Sequence, residues 1–259
     1  MGYNKEQLGK EIIRLLYDEG MIETWYKDNP DGYTLVSKIW SPFYINLRLL
    51  GSKRKSREIL NQIGYAMGTM IKEEIPSVSR IVGLYIAGIP LASAITATVG
   101  IPCCYARHLP GVKKEEEFYQ KKDEIKKDLK EHGDHQLVEG DFHDGDQIAI
   151  VDDLVTKFDT KLIARAQIYE AAKDKKMSVR CENVAVLIDR EQGAEEVALS
   201  KGMKLWSLIP FKSKGIQWLK DKMESLEYET LTDYLKDESK YQNPSVKERL
   251  RRAALKKSN

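Results

Sequence analysis

The sequence predicts an α/β fold, with a central, mainly parallel sheet flanked by helices and a small N-terminal element ahead of it. Three observations predict it. Short apolar runs at residues 81–85, 102–106, 148–151, 184–188 and 205–209 are separated by helix-length stretches. These runs are almost continuously apolar, as strands covered on both faces are, rather than alternating. Several lead into polar or glycine-bearing turns, at Ala87-Gly88, Asp152-Asp153 and Asp189-Arg190. Ligands of open α/β sheets sit beyond the carboxyl ends of the strands, so these turns should converge on one site.

Each element has its own signal. Leu8, Ile12, Leu15 and Leu16 recur at helical spacing near the start. Residues 33–48, YTLVSKIWSPFYINLR, are rich in aromatic and β-branched residues. Ser41-Pro42 in their middle predicts two short strands joined by a turn at that point. Leu60, Ile63, Met67 and Ile71 share one face of a helix over 53–73. After the turn at 87–90, the small-residue stretch LASAITATV forms a helix that Gly100 stops. Residues 113–132 are highly charged and read as helical or mobile. Residues 160–173 are amphipathic, with Leu162, Ile163, Ala166 and Tyr169 on one side. The tail VKERLRRAALKKSN is basic and helix-prone, without an evident core face.

The 259 residues suit one elaborated domain over 1–240, followed by a basic tail over 241–259. Within the domain, the N-terminal element covers about 1–50, the core about 51–212 and C-terminal helices about 213–240. A net charge of +2 selects neither nucleic acid nor membrane. The basic tail is the one segment that would serve a nucleic acid. Cys103, Cys104 and Cys181 fit neither a disulfide framework nor a zinc site, and read as buried thiols in a reducing compartment. There is no apolar signal core, and no apolar run long enough to cross a bilayer, so the expectation is a cytoplasmic protein.

The chemistry concentrates in QIAIVDDLVTKFDTKL, residues 147–162. Two carboxylates follow a buried strand, and a threonine-bearing loop then enters a helix. Adjacent acids there can accept hydrogen bonds from vicinal sugar hydroxyls or help to hold Mg²⁺. The loop's backbone N–H groups and hydroxyls, at a helix N-terminus, suit a phosphate. An ordinary strand-to-helix turn with acidic caps has the same local pattern.

This segment resembles the motif with which type I phosphoribosyltransferases bind 5-phosphoribosyl 1-diphosphate (PRPP). Other segments, in the family's order, are similar to its orotate-specific members. YTLVSKIWSPFYINLR resembles their N-terminal substrate region, YIAGIPLASAI their pyrophosphate loop, KKDLKEHG (126–133) their mobile catalytic loop, and VLIDREQG (186–193) their orotate-binding segment. The similarity spans roughly residues 8–210.

The resemblance implies a type I phosphoribosyltransferase-like domain with an N-terminal hood. It implies transfer of phosphoribose from PRPP to orotate, giving orotidine 5′-phosphate and pyrophosphate, with Mg²⁺ as cofactor and a homodimer as the working unit. Asp152 and Asp153 would face the ribose hydroxyls. Thr156 and Thr160 would help to bind the 5′-phosphate, and Ala87 and Gly88 would form the pyrophosphate loop. Lys127, Lys130 and His132 would act on pyrophosphate from the mobile loop, with Arg107 beside them. Arg190 would pair with the orotate carboxylate, and Tyr44 would lie near the base.

Three features depart from the family pattern. Phe158 and Asp159 stand where the phosphate loop carries glycine, which lets phosphate approach the backbone. Val36 replaces a substrate-contacting lysine. An insert over about 108–125 lengthens the catalytic-loop region, and Glu117–Lys121 pairing would favour a short helix in it. The alternative reading is therefore a PRPP- or nucleotide-binding relative without turnover or with altered specificity. A P-loop kinase is a weak reading, because no G-x-x-x-x-G-K-[ST] string occurs.

Overall fold

The computed structural model describes residues 3–35, 38–131, 133 and 135–257. Helix α1 (Lys5–Asp18) opens the chain, capped by the Asn4 side chain accepting from the Gln7 N–H. Four short strands follow: β1 (Ile22–Thr24), β2 (Tyr33–Thr34), β3 (Trp40–Ser41) and β4 (Phe43–Ile45). The core then runs α2 (Ser56–Glu74), β5 (Arg80–Gly83), α3 (Gly88–Val99), β6 (Cys103–Ala106), α4 (Glu115–Glu131), β7 (Val138–Glu139) and β8 (Gln147–Val155). It continues with α5 (Asp159–Asp174), β9 (Arg180–Asp189), α6 (Ala194–Ser200) and β10 (Lys204–Pro210). The short α7 (Ile216–Trp218), then α8 (Ser225–Lys236) and α9 (Pro244–Lys257), complete it.

The central sheet has the order β10-β9-β8-β5-β6-β7 and is parallel except for β7, which runs antiparallel on β6. Side chains alternate across β8, and this alternation sorts the core into two layers. Ala149 and Val151 face Ile63 and Met67 of α2 and Leu91 and Ile95 of α3. Ile148 and Ile150 face Leu162, Ile163 and Ile168 of α5 and Phe118 of α4. Helices α2 and α3 approach so closely that a Cβ added at Gly64 would lie 2.6 Å from the Ala94 carbonyl. At the amino edge of the sheet, Arg80 bonds Asp146 at 2.6 Å in a buried pair, joined by the Ser79 hydroxyl. Burial pushes the Asp146 carboxyl up, but the bonds from Arg80, the His143 N–H and Ser79 outweigh it and hold the group below the usual range.

The expected fold is the observed one, and the departures are local. Ser41-Pro42 does not join paired strands. β3 pairs with β2 and β4 with β1, so the proline separates two ladders that share the hood. Of the two readings of the charged stretch 113–132, helical or mobile, the helical one holds, as α4. Strand β8 does not stop at Val151 but carries its ladder through the two acids to Val155. The three cysteines are free thiols, and burial pushes Cys181 up to about 12. No helix among the described residues is long and apolar enough to cross a membrane.

The tail differs most from the expectation of a separate basic segment without a core face. Leu250 and Ala254 of α9 are buried in the same cluster as the α1–α3 layer. Trp40 stacks on Tyr241 at 6.4 Å, the Gln242 amide exchanges two hydrogen bonds with the Trp40 backbone, and Arg251 pairs with Asp31. The segment after 241 therefore clasps the hood. Truncation after Lys240 should cost about 2 kcal/mol, mainly through exposed Trp40 and the lost burial of Leu250 and Ala254. The thermal midpoint should fall by roughly 5 °C in a calorimetric scan. An unchanged midpoint would make the tail a passive extension after all.

Candidate active site

The carboxyl ends of β5, β8 and β9 meet at one edge of the sheet. β8 supplies the acid pair. Asp152 is 8% exposed, and its register partner on β9 is Val186. One of its oxygens, Oδ2, accepts a bond from the Lys161 ammonium at 2.6 Å, and the other accepts the Asp153 N–H at 3.0 Å. Asp153 Oδ1 accepts the Leu154 N–H at 2.8 Å. Burial first, and then the charge of Asp152, push the Asp153 carboxyl up to about 7.

Lys161 was not among the residues singled out from the sequence. It sits in the first turn of α5, is 3% exposed and donates a second bond to the Leu154 carbonyl at 3.1 Å. Its available signal was spacing. Ala164 and Ile168, three and seven residues further on, are buried on the same face of α5.

Ala87 and Gly88, expected to form a pyrophosphate loop, lie beside the acids. A Cβ on Gly88 would lie 2.6 Å from the Val151 carbonyl oxygen and 3.2 Å from Asp152 Oδ1, so only glycine permits this approach of α3 to β8. Ala87 precedes it as the N-cap of α3. The Tyr85 ring, at the start of this loop, stacks on His108 beyond β6 at 5.1 Å.

The loop from β8 into α5 corrects one expectation. Phe158 does not obstruct it. The ring is 2% exposed and packs into the α5 layer of the core, and the residue has φ −101° and ψ −4°, which needs no glycine. The loop surface is instead Thr156, half-buried, with Lys157, Asp159 and Thr160 exposed. Asp159 occupies the first turn of α5, where a carboxylate is favoured by the helix dipole and competes with a phosphate for it.

Directly after β9, the Arg190 N–H donates to the Val155 carbonyl at 3.2 Å, which fixes the residue beside the loop from β8 into α5. Its guanidinium lies over the Phe43 ring, 5.1 Å from the centroid. Nε and Nη2 are buried without a hydrogen-bond partner. Burial pulls the guanidinium below its ordinary pKa. Here the hood contributes Phe43 rather than Tyr44. Tyr44 is next along β4, so it faces the other way, and it stacks on Tyr33 at 5.8 Å.

The lysines expected on a mobile loop are not at the acids. Lys126 pairs with Glu170 at 2.6 Å and with Asp174 at 2.8 Å, near the far end of α5, and Lys122 also pairs with Glu170. Phe118, on the same helix, is fully buried. From Lys161 to Asp174 is thirteen residues, or about 20 Å of helix. Lys127, paired with Glu131, and Lys130 follow Lys126 on α4, so they lie at that distant end. Arg107 is held by Glu139 of β7 at 2.7 Å, at the sheet edge. His132 and Val36 lie outside the described residues.

No family model matches the chain. It is 26% identical to an orotate phosphoribosyltransferase of Pyrococcus abyssi over 205 residues, covering 77% of this chain and 91% of the relative. It is 29% identical over 206 residues to that of Pyrobaculum islandicum, covering 78% and 90%. Among solved structures, orotate phosphoribosyltransferase from Aeropyrum pernix superposes with a TM-score of 0.56 at 21% identity, covering 82% of this chain and 97% of that one. A UMP synthase from Leishmania donovani gives a TM-score of 0.64 at 21% identity, and the 88% of this chain that aligns spans 42% of that longer one. The chain therefore shares the fold of these solved structures, with a six-stranded, mainly parallel sheet and the acid pair on its third strand, and its sequence is similar to those of orotate phosphoribosyltransferases.

Proposed function

We propose that the protein transfers phosphoribose from PRPP to orotate, giving orotidine 5′-phosphate and pyrophosphate. The observation that carries this reading is Arg190. A buried guanidinium with two unpartnered nitrogens is costly unless an anion completes it. A planar carboxylate does so with two parallel bonds, and orotate carries one. The relatives named as orotate phosphoribosyltransferases support the same substrate.

In this reading Asp152 and Asp153 accept hydrogen bonds from the ribose hydroxyls. Thr156, Lys157 and Thr160 meet the 5′-phosphate at the N-terminus of α5. The N-terminus of α3, at Ala87-Gly88, faces the pyrophosphate. The bond from C1 of the ribose to the pyrophosphate oxygen breaks, and pyrophosphate takes the electron pair. The bond from C1 to the N1 nitrogen of orotate then forms from that nitrogen's electron pair, and the proton it carried passes to an oxygen of the departing pyrophosphate. Positive charge on the ring in between is countered by the acid pair, so no side-chain nucleophile is needed.

Mg²⁺ would enter with the pyrophosphate. Among the described residues no group of three or more His, Cys, Asp or Glu is placed to hold a metal, and Mg²⁺ is commonly held largely by substrate phosphates and water. The cations that meet departing pyrophosphate would come from the 126–133 segment of a second subunit in a homodimer, because the chain's own Lys127 and Lys130 lie at the far end of α5. The reduced cysteines fit a cytoplasmic enzyme.

The docking of α4 favours a second reading as well, a PRPP-binding relative without turnover. One experiment separates the two. Purified protein with PRPP, Mg²⁺ and orotate is expected to deplete orotate absorbance with release of one pyrophosphate per base. PRPP binding by calorimetry with no turnover on any pyrimidine or purine base would establish the second reading. Absence of PRPP binding would sink both.

A further inference from the structure

We propose that Lys161 is a positioning residue that makes the acid pair selective for a ribosyl diol. The inference rests on the PRPP reading above and adds to it a residue outside the motif that suggested it. The geometry is a closed set of bonds. The Lys161 ammonium touches Asp152 Oδ2 at 2.6 Å and the Leu154 carbonyl at 3.1 Å, and both ion-pair partners are buried. Asp152 Oδ1 takes the Asp153 N–H, and Asp153 Oδ1 takes the Leu154 N–H. Each of these three carboxylate oxygens therefore has a fixed donor from the chain, and the remaining Asp153 oxygen, close to the Asp152 carboxyl, is the one the proposal gives to a ligand hydroxyl.

Without the ammonium the arrangement does not hold. Asp152 and Asp153 are adjacent carboxylates in a poorly solvated place, and they repel each other. Asp152 would rotate toward solvent, and its second oxygen would no longer be an oriented acceptor. With the ammonium in place, Asp152 is held in one rotamer by donors on both its oxygens, and a second lone pair on Oδ2 remains available beside Asp153. Two oriented acceptors suit two adjacent hydroxyls. A sugar that lacks one hydroxyl leaves an acceptor unpaired, which is the kind of mismatch binding sites reject strongly.

The test is titration calorimetry of the full chain with ribose 5-phosphate and with 2-deoxyribose 5-phosphate. The wild type is expected to prefer the ribose compound by about tenfold or more, the scale of one hydrogen bond to a charged acceptor. Lys161→Met keeps the aliphatic stem and removes the charge. It should reduce the preference to under about threefold while leaving affinity for the deoxy compound within about twofold. Lys161→Arg, which restores a cation, should recover most of the preference. A purely structural role would weaken both sugars together. Lys161→Gln, which can still donate to the Leu154 carbonyl, is the second charge-removing variant should methionine not fold. Loss of the charge with an unchanged sugar preference, in either variant, would overturn the proposal alone. So would a wild type that binds both sugars equally. A wild type that binds neither would remove the PRPP reading on which the proposal rests.

Discussion

Replacing Arg190 by methionine should lower kcat/KM for orotate by 10²–10³-fold, about 3–4 kcal/mol, and should not destabilise the protein. The two halves of this expectation come from the same observation. The guanidinium is buried over Phe43 with two nitrogens unpartnered, and burial already pulls its pKa down. Such a group is held at a cost in the free protein. Methionine preserves the contact with Phe43 and removes the buried charge, which should raise stability by roughly 1–2 kcal/mol. The measurement is steady-state kinetics with orotate and uracil, together with a thermal scan. Uracil lacks the carboxylate, so the wild type should prefer orotate strongly and Arg190→Met should erase most of that preference. A variant that kept the preference, or that lost 3 kcal/mol or more of stability, would make Arg190 a structural cation and move the base elsewhere.

The sheet was legible because burial on both faces writes itself as continuous apolar runs. The five runs at 81–85, 102–106, 148–151, 184–188 and 205–209 correspond to β5, β6, β8, β9 and β10. The sixth strand, β7, has two residues and no room for a pattern. Ser41-Pro42 looked like a hairpin turn because proline does end strands, but ladder partners are set by tertiary contact, here with β1 and β2. The acid pair stood out in the sequence because two carboxylates follow an apolar run, whereas a role for Arg190 came only from the resemblance of VLIDREQG. Lys161 could not be found from charge, since a lysine in a helix is usually solvated, and only its register with Ala164 and Ile168 placed it inside. Phe158 misled in the opposite direction. It read as an obstruction of a phosphate loop, whereas the α5 core takes the ring away from the loop surface. The lysines of α4 read as a lid from their resemblance, and the acids that hold Lys126 are forty-four and forty-eight positions away in sequence.

Asp153 gives the second large effect. Its carboxyl ionises near 3.8 in an unfolded chain and near 7 in the folded one, because burial and the neighbouring Asp152 charge disfavour its anion. Between those values the folded state binds the extra proton, so stability falls as pH rises through this window, and above about 7 the full cost is present. The shift corresponds to on the order of 2–4 kcal/mol. Asp153→Asn carries no such charge. It should match the wild type near pH 4 and exceed its thermal midpoint by roughly 5–10 °C at pH 8. The same substitution removes an acceptor for a ribose hydroxyl, so kcat/KM for PRPP should fall about 10²-fold. A more stable and less active variant is the signature of a group kept for binding rather than for folding. The alternative is that the Leu154 N–H needs this carboxylate as a structural acceptor. In that case Asp153→Asn would be less stable than the wild type at pH 8, and the gain near neutral pH would be absent.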